Sequence, residues 1–191
     1  MDITVKGLSK SFGSKRVFND FNAVFPSREL TCIMGPSGAG KTTLMNIMMG
    51  LVKSDGGTVV GVPKRMSAVF QEDRLCEDFG SIANIHMVLG RRADRQTIKK
   101  HLESIGLGEE AGRVGNFSGG MKRRVAIVRA LMAPSDILFL DEPFRGLDEE
   151  TKTLAINYFR RNLRKRTAIM VTHSIREVRE LGGNLVIIDR K

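Results

Sequence analysis

The sequence predicts one α/β domain, with a mixed sheet and an inserted helical subdomain, and three observations lead there. β-like runs open the chain, at DITVKGLS (2–9) and ELTCIMG (29–35). The middle, from about Gly80 to Ala133, carries helical periodicity and almost no alternating segment. After Pro134 strands return as DILFLDE (136–142), TAIMVTH (167–173) and NLVIID (184–189). The expected division is 1–79 and 134–191 for an α/β core and 80–133 for the helical insertion.

Each element has its own warrant. DITVKGLS alternates, and ELTCIMG is a brief apolar run that ends at a glycine, as a buried strand does. From Lys41 the period changes: Leu44, Ile47, Met48 and Leu51 form one apolar helical stripe. Further on, helices are broken at Gly90, Gly106, Gly108, Gly112 and Gly115. Helical stretches from about Glu149 to Lys165 and from Ser174 to Leu181 separate the last three strands.

Composition bounds the class. At 191 residues, 41% hydrophobic and 27% charged, the chain is long enough for a real core and unlike disordered or collagenous sequences. No apolar run approaches the roughly 18 residues that cross a bilayer. The start, MDITVKGLSK, alternates instead of offering a signal-peptide core, so the chain is expected to stay on the side where it is made. Cys32 and Cys76 lack metal-ligand spacing and read as reduced thiols, which fits a reducing cytosol.

Residues 35–42, GPSGAGKT, match the phosphate-loop pattern G-x-x-x-x-G-K-[ST] and lie between a predicted strand and a predicted helix. A triphosphate is a dense anion, and only a backbone poor in side chains wraps it closely enough to aim several N–H groups at its oxygens. Gly35, Gly38 and Gly40 permit that wrap, with Pro36, Ser37 and Ala39 between them. Each bond to a charged oxygen contributes roughly 1.5–3 kcal/mol against at most about 2 from the helix dipole, so the loop amides dominate. Lys41 adds a charge within reach of the β- and γ-phosphates, Thr42 is placed to ligate Mg²⁺, and Thr43 to bond the α-phosphate.

ILFL (137–140) leads directly into Asp141 and Glu142, so a fully buried strand delivers two acids at its carboxyl end, where open α/β sheets bind ligands. Asp141 can hold the Mg²⁺ shell through water. Glu142, one residue further out, is positioned to polarise an attacking water. A base there contributes roughly 10²–10⁴ in rate.

FSGGM (117–121), followed by KRRVAIVRALMA, resembles the LSGGQ signature of the ATP-binding-cassette (ABC) ATPases, which share the P-loop NTPase core. With GPSGAGKT, SAVFQ ending at Gln71, ILFLDE, GLD (146–148) and VTHS at His173, the landmarks of that family appear in its order over about residues 1–180. The resemblance implies ATP and Mg²⁺ as cofactors and ATP hydrolysis as the activity. It implies that Phe12 stacks on adenine, that Gln71 senses Mg²⁺ and the attacking water, and that Asp148 bridges two subunits. It also implies that His173 contacts the γ-phosphate; His86 and His101 read as ordinary residues.

SGG at the start of a helix with Met121, Val125, Val128 and Met132 on one face is a second anion site of bare backbone and a hydroxyl. The resemblance implies why one chain has both: two copies pair head to tail, and Ser118, Gly119 and Gly120 of one grip the γ-phosphate held by the other. Phe117 and Met121 depart from the usual leucine and glutamine, and Arg145-Gly146 stands where many relatives carry small residues. The serine and both glycines remain. The chain reaches Lys191 soon after the His173 helix, so regulation through a long C-terminal extension is not expected.

Among subfamilies, QEDRL (71–75), SGGM and DEPF (141–144) most resemble the ATP-binding subunits of bacterial importers of nitrate, sulfonates and taurine-like compounds, although CEDFG (76–80) diverges. That implies separate membrane permease subunits, an extracytoplasmic solute-binding protein and a cytoplasmic place on the inner face of the cell membrane. The net charge of +10 invites a rival reading, an ABC-type ATPase acting on nucleic acid or protein complexes. Basic residues cluster at Arg91, Arg92, Arg95, Lys99 and Lys100, at Lys122, Arg123 and Arg124, and at Arg160, Arg161, Arg164, Lys165 and Arg166. No aromatic interleaves them, so solvated helix faces are expected first, attraction to anionic lipid near a permease second, and nucleic acid is disfavoured. A kinase on the same loop is disfavoured by SGGM and the paired acids.

Overall fold

The structure is a computed structural model that describes residues 1–90, 94–108 and 112–189. Its chain divides into two compact units: Met1–Met66, Asp136–Asp141 and the stretch from Lys165 onward form one, Ser67–Ser135 and Glu142–Arg164 the other.

In the first unit, β1 (Ile3–Phe12) pairs antiparallel with β2 (Lys15–Phe25) on one side and with β4 (Gly56–Val60) on the other. β1 buries Ile3, Val5 and Leu8. β2 and β4 have no counterpart in the sequence reading. The register between β1 and β2 slips after Val5, Leu8 and Lys10, and Asp20 takes a left-handed φ of 55°, so the pattern of a simple strand is erased.

The same unit holds β3 (Leu30–Met34), β6 (Ile137–Asp141), β7 (Thr167–Val171) and β8 (Asn184–Ile187), paired in parallel in the order β6-β7-β3-β8. Within this unit, antiparallel and parallel pairings therefore lie in two sheets, not one. β6 and β7 are buried throughout, as apolar strands covered on both faces must be. α1 (Lys41–Met48) buries Leu44, Ile47 and Met48 of the expected stripe. Leu51 is 58% exposed, because the helix ends at Met48 and the chain turns away at Gly50, whose left-handed φ of 74° favours glycine. α6 (Ile175–Leu181) starts on a Ser174 cap and stops at Gly182 in the left-handed conformation.

The second unit contains α2 (Ser81–Leu89), α3 (Arg95–Glu103), a 3-10 turn at Val114–Asn116, α4 (Gly119–Met132) and α5 (Glu149–Leu163). β5 (Met66–Val69) spans the passage into it. The helical unit reaches beyond 80–133 because α5 packs into it: Phe144 meets Phe159 edge to face at 6.2 Å, and Tyr158 Oη lies 2.9 Å from His101 Nδ1.

α4 is not the one-faced helix its Met121, Val125, Val128 and Met132 spacing predicts. Arg123, Val125–Val128, Ala130 and Leu131 are buried around most of its circumference, whereas Met121 and Met132 are only half-buried. The reason is that α2, α3 and α5 all pack on it.

Candidate active site

Strand register assembles the first half of the site. Val171 of β7 lies opposite Ile33 of β3 and Asp141 of β6, so one row crosses three strands near their carboxyl ends. Gly35 opens the phosphate loop two residues past Ile33, His173 follows two past Val171, and Asp141 ends β6. That edge is where an open parallel sheet offers a ligand crevice.

The loop is shaped by backbone only glycine adopts readily. Gly35, Gly38 and Gly40 have φ of 154°, 77° and 99°. A Cβ on Gly40 would fall 2.5 Å from Val17 Cγ1 and 2.8 Å from Phe18 Cζ, and one on Gly35 would strike the Ile188 carbonyl. Inside the loop, the Ala39 N–H donates to the Pro36 carbonyl at 3.2 Å. α1 starts without a side-chain cap, and a helix start of that kind is suited to an anion.

Lys41 is 6% exposed, and its ammonium donates to the Gly35 and Pro36 carbonyls at 2.9 Å each, so the charge is held at the loop it serves. Thr42 Oγ1 donates to Asp141 Oδ2 at 2.7 Å, and Asp141 is 3% exposed. Among the described residues no group of three or more His, Cys, Asp or Glu could hold a metal. Magnesium at nucleotide sites takes only one or two protein oxygens, the rest coming from phosphates and water, so an adjacent hydroxyl and carboxylate are a fitting donor set.

Two further predicted residues belong to this unit. Phe12 is 51% exposed, with Lys10 Nζ 5.0 Å from its ring centroid. His173 is exposed, on a turn between Thr172 and Ser174. Burial, and secondarily the Glu177 carboxylate, push the Cys32 thiol up to about 12, so it is inert; no disulfide joins it to the exposed Cys76.

The second unit carries the others. Ser118 caps α4, its Oγ accepting from the Met121 N–H at 3.2 Å, and Ser118 and Gly119 are exposed. A Cβ on Gly120 would come 3.9 Å from the Gly146 carbonyl, which places the glycine pair beside the GLD turn. Asp148 caps α5, accepting from the Thr151 N–H at 2.9 Å and its Oγ1 at 2.7 Å. Those bonds hold its carboxyl below the usual carboxylate range, the backbone one contributing most. Glu142 takes a left-handed φ of 50°, and its carboxylate accepts from Arg145 Nη1 at 3.0 Å. Gln71 is exposed, and its carbonyl accepts from Arg123 Nη2.

Arg123 is the residue sequence reasoning misplaced. It stands in the KRR run expected to be a solvated face, yet it is 7% exposed. Its guanidinium donates to the Phe70 and Gln71 carbonyls and pairs with Asp73 at 3.2 Å. Burial raises the Asp73 pKa, with Arg123, Arg129 and Lys122 opposing it. Lys122 pairs with Glu77 at 2.8 Å, and Arg124 donates to the Gly120, Ile105 and Gly106 carbonyls. Nothing in the sequence marks these bonds, because most acceptors are backbone carbonyls. By contrast, Arg95, Lys100, Arg160, Arg161, Arg164 and Lys165 are exposed as expected, while Lys99 and Arg166 are half-buried. Arg91 and Arg92 lie outside the described residues.

A phosphate loop after a buried strand, acids at the end of a second strand and a capped SGG tip define an ATP-hydrolysing cassette. The ABC transporter family model matches residues 18–145, and the chain belongs to that family, as an ATP-binding, ATP-hydrolysing subunit of a transporter. It is 36% identical to an aliphatic sulfonates import ATP-binding protein of Nocardia farcinica, over 98% of this chain and 78% of that one. A protein of the same description from Paracoccus denitrificans is 32% identical over 97% of this chain and 78% of its own length. The Nod factor export ATP-binding protein I of Burkholderia lata is 35% identical over 98% of this chain and 67% of its own. A dimeric structure of a bacterial ABC transporter cassette superposes with a TM-score of 0.85 at 24% identity, covering 98% of this chain and 94% of that one, and the P-loop core expected from the sequence is the fold observed.

Proposed function

We propose that the chain is the ATPase motor of a membrane importer for a small anionic, sulfonate-like solute, working as two copies that sandwich two ATP molecules. The observation that carries this reading is that one chain holds two glycine-rich tips at helix starts, the Gly35–Thr43 loop and the Ser118–Gly120 cap, each of a kind that suits an anion and each in a different compact unit. A head-to-tail pair uses both, with ATP joining them. The import relatives above support the direction and solute class.

In this reading Lys41 and the loop amides hold the β- and γ-phosphates, Thr43 the α-phosphate, and Phe12 stacks on adenine. Thr42 and Asp141 would hold Mg²⁺, which when bound would neutralise charge developing on the phosphates, and Gln71 takes the sensing part that the family resemblance implies. Glu142 accepts the proton of the attacking water, and His173 meets the terminal phosphate. Ser118, Gly119 and Gly120 of the second copy close on that phosphate, with Asp148 at the seam. Cleavage removes the group both copies share, so the pair opens and moves the permease.

A cleft of about 620 Å³ in the helical unit, lined by Phe79, Ile82, His86, Met87 and Arg95 among others, suits a permease segment with an apolar anchor. Among the described residues no helix is long and apolar enough to cross a membrane, so the spanning part of the transporter is assigned to partner subunits.

The test is purification of the chain from membranes and reconstitution with whatever polytopic protein accompanies it. ATP turnover stimulated by a sulfonate-loaded binding protein, with solute accumulating in the direction of import, is expected. Export of solute, or turnover stimulated by DNA and abolished by salt, overturns the importer reading.

A further inference from the structure

A closed run of hydrogen bonds holds the turn that presents His173. Ser174 caps α6, its Oγ accepting from the Glu177 N–H at 3.3 Å. In a capping box, the glutamate three residues on reaches back to the cap residue's own N–H. Here the reach is relayed through a third group. Thr172 Oγ1 accepts from the Ser174 N–H at 3.0 Å and donates to Glu177 Oε2 at 2.6 Å. The Thr172 N–H donates in turn to the Ile33 carbonyl at 3.2 Å, which fastens the turn to β3 just before the phosphate loop begins.

Thr172 and Glu177 are both buried, whereas the His173 between Thr172 and Ser174 is exposed. A hydroxyl-to-carboxylate bond shielded from water is short, directional and charge-assisted, so it fixes a backbone more firmly than a solvated cap does. Glu177 also lies close enough to Cys32 of β3 for its charge to act on that thiol. The tie to the strand that feeds the phosphate loop is thus the Thr172 N–H bond to Ile33. An N-terminal cap alone requires none of this burial.

We propose that Thr172 and Glu177 are positioning residues for His173: their hydroxyl–carboxylate pair fixes the backbone at 172–174 so that the imidazole meets the terminal phosphate held on the loop. The proposal rests on the reading of His173 as the γ-phosphate contact and adds to it the groups that set its place.

The experiment measures kcat, ATP affinity and melting temperature for the full chain, in its transporter complex where turnover requires it, carrying Thr172→Val, Thr172→Ser, Glu177→Gln or His173→Ala. Thr172→Val is expected to lower kcat about 10- to 100-fold, the scale of a misplacement of roughly 1 Å, while ATP affinity changes less than about threefold. Thr172→Ser, which keeps the hydroxyl, restores kcat to within about threefold of the original, and Glu177→Gln, which keeps an acceptor without the charge, falls between. Asp94→Ala removes the cap of α3 and serves as the stability control, lowering the melting temperature with kcat unchanged. Full kcat in Thr172→Val while His173→Ala is impaired overturns the positioning role, as does an equal loss in Thr172→Val and Thr172→Ser. Full kcat in His173→Ala overturns the reading of His173 itself.

Discussion

Thr42 Oγ1 and Asp141 Oδ2 are joined by a 2.7 Å hydrogen bond, although 99 positions separate them in sequence. The parallel register of β3, β7 and β6 makes this possible by bringing the strand that feeds the loop and the strand that ends in the acid to one edge. A neutral hydroxyl and a carboxylate in contact would offer their oxygens to one cation and its bound water, the hydroxyl keeping its proton and turning it away from the carboxylate.

Asp141→Asn keeps the shape of that contact and removes its charge. The Mg²⁺ concentration that half-saturates nucleotide binding is expected to rise about 10–100-fold, the usual effect of losing a group that orients a metal's shell. Titration of a fluorescent ATP analogue against Mg²⁺ reads the shift; an unchanged midpoint argues against Asp141 as the metal's partner.

Glu142→Gln removes the proposed base without changing volume. Turnover should fall about 10²–10⁴-fold while ATP binding persists. With hydrolysis blocked, the sandwich accumulates, so size-exclusion chromatography in ATP and Mg²⁺ should show a dimer that ADP does not support. A monomer under those conditions contradicts the head-to-tail arrangement.

His101 predicts a pH effect on stability. Burial, and secondarily the Arg164 charge, hold its imidazole below the ordinary 6.5, and Nδ1 lies 2.9 Å from Tyr158 Oη. A depressed folded-state pKa means that the unfolded chain binds its proton first as pH falls. The stabilisation is therefore complete above pH 6.5 and lost as pH drops from there through the folded-state value. Melting temperatures across that range should fall more in the original chain than in His101→Gln.

Arg123→Met keeps the bulk of the side chain and removes its donors. The Phe70 and Gln71 carbonyls lose their bonds and half-buried Asp73 loses its Arg123 partner, and the donor loss at the buried end costs about 1–3 kcal/mol. Urea denaturation should show a loss on that scale. A change under about 0.5 kcal/mol, typical of a surface position, would return Arg123 to the solvated class.

What was legible in the sequence were features whose chemistry resides in side-chain identity and spacing. The loop, the acids after ILFL and the SGG cap carry their reason in the residues themselves. β2 was not legible, because slipped register and Asp20 at positive φ dissolve its alternation. Leu51 fitted a helical stripe that the left-handed Gly50 cuts short. The placing of Arg123 depends on backbone carbonyls, which every sequence offers equally. The helix from Ser174 to Leu181 was legible, but its Ser174 cap and the link from Thr172 to Glu177 are seen only in the structure.

The anchoring of α4 has a mechanical consequence. Its Arg123 grips the carbonyls at Phe70 and Gln71 within about two turns of the Ser118 cap, and the helix is wedged on most sides, so it has no room to slide alone. A pull on the Phe70–Gln71 strand end is carried along a stiff rod to the serine tip. Lever and handle are one piece within that unit.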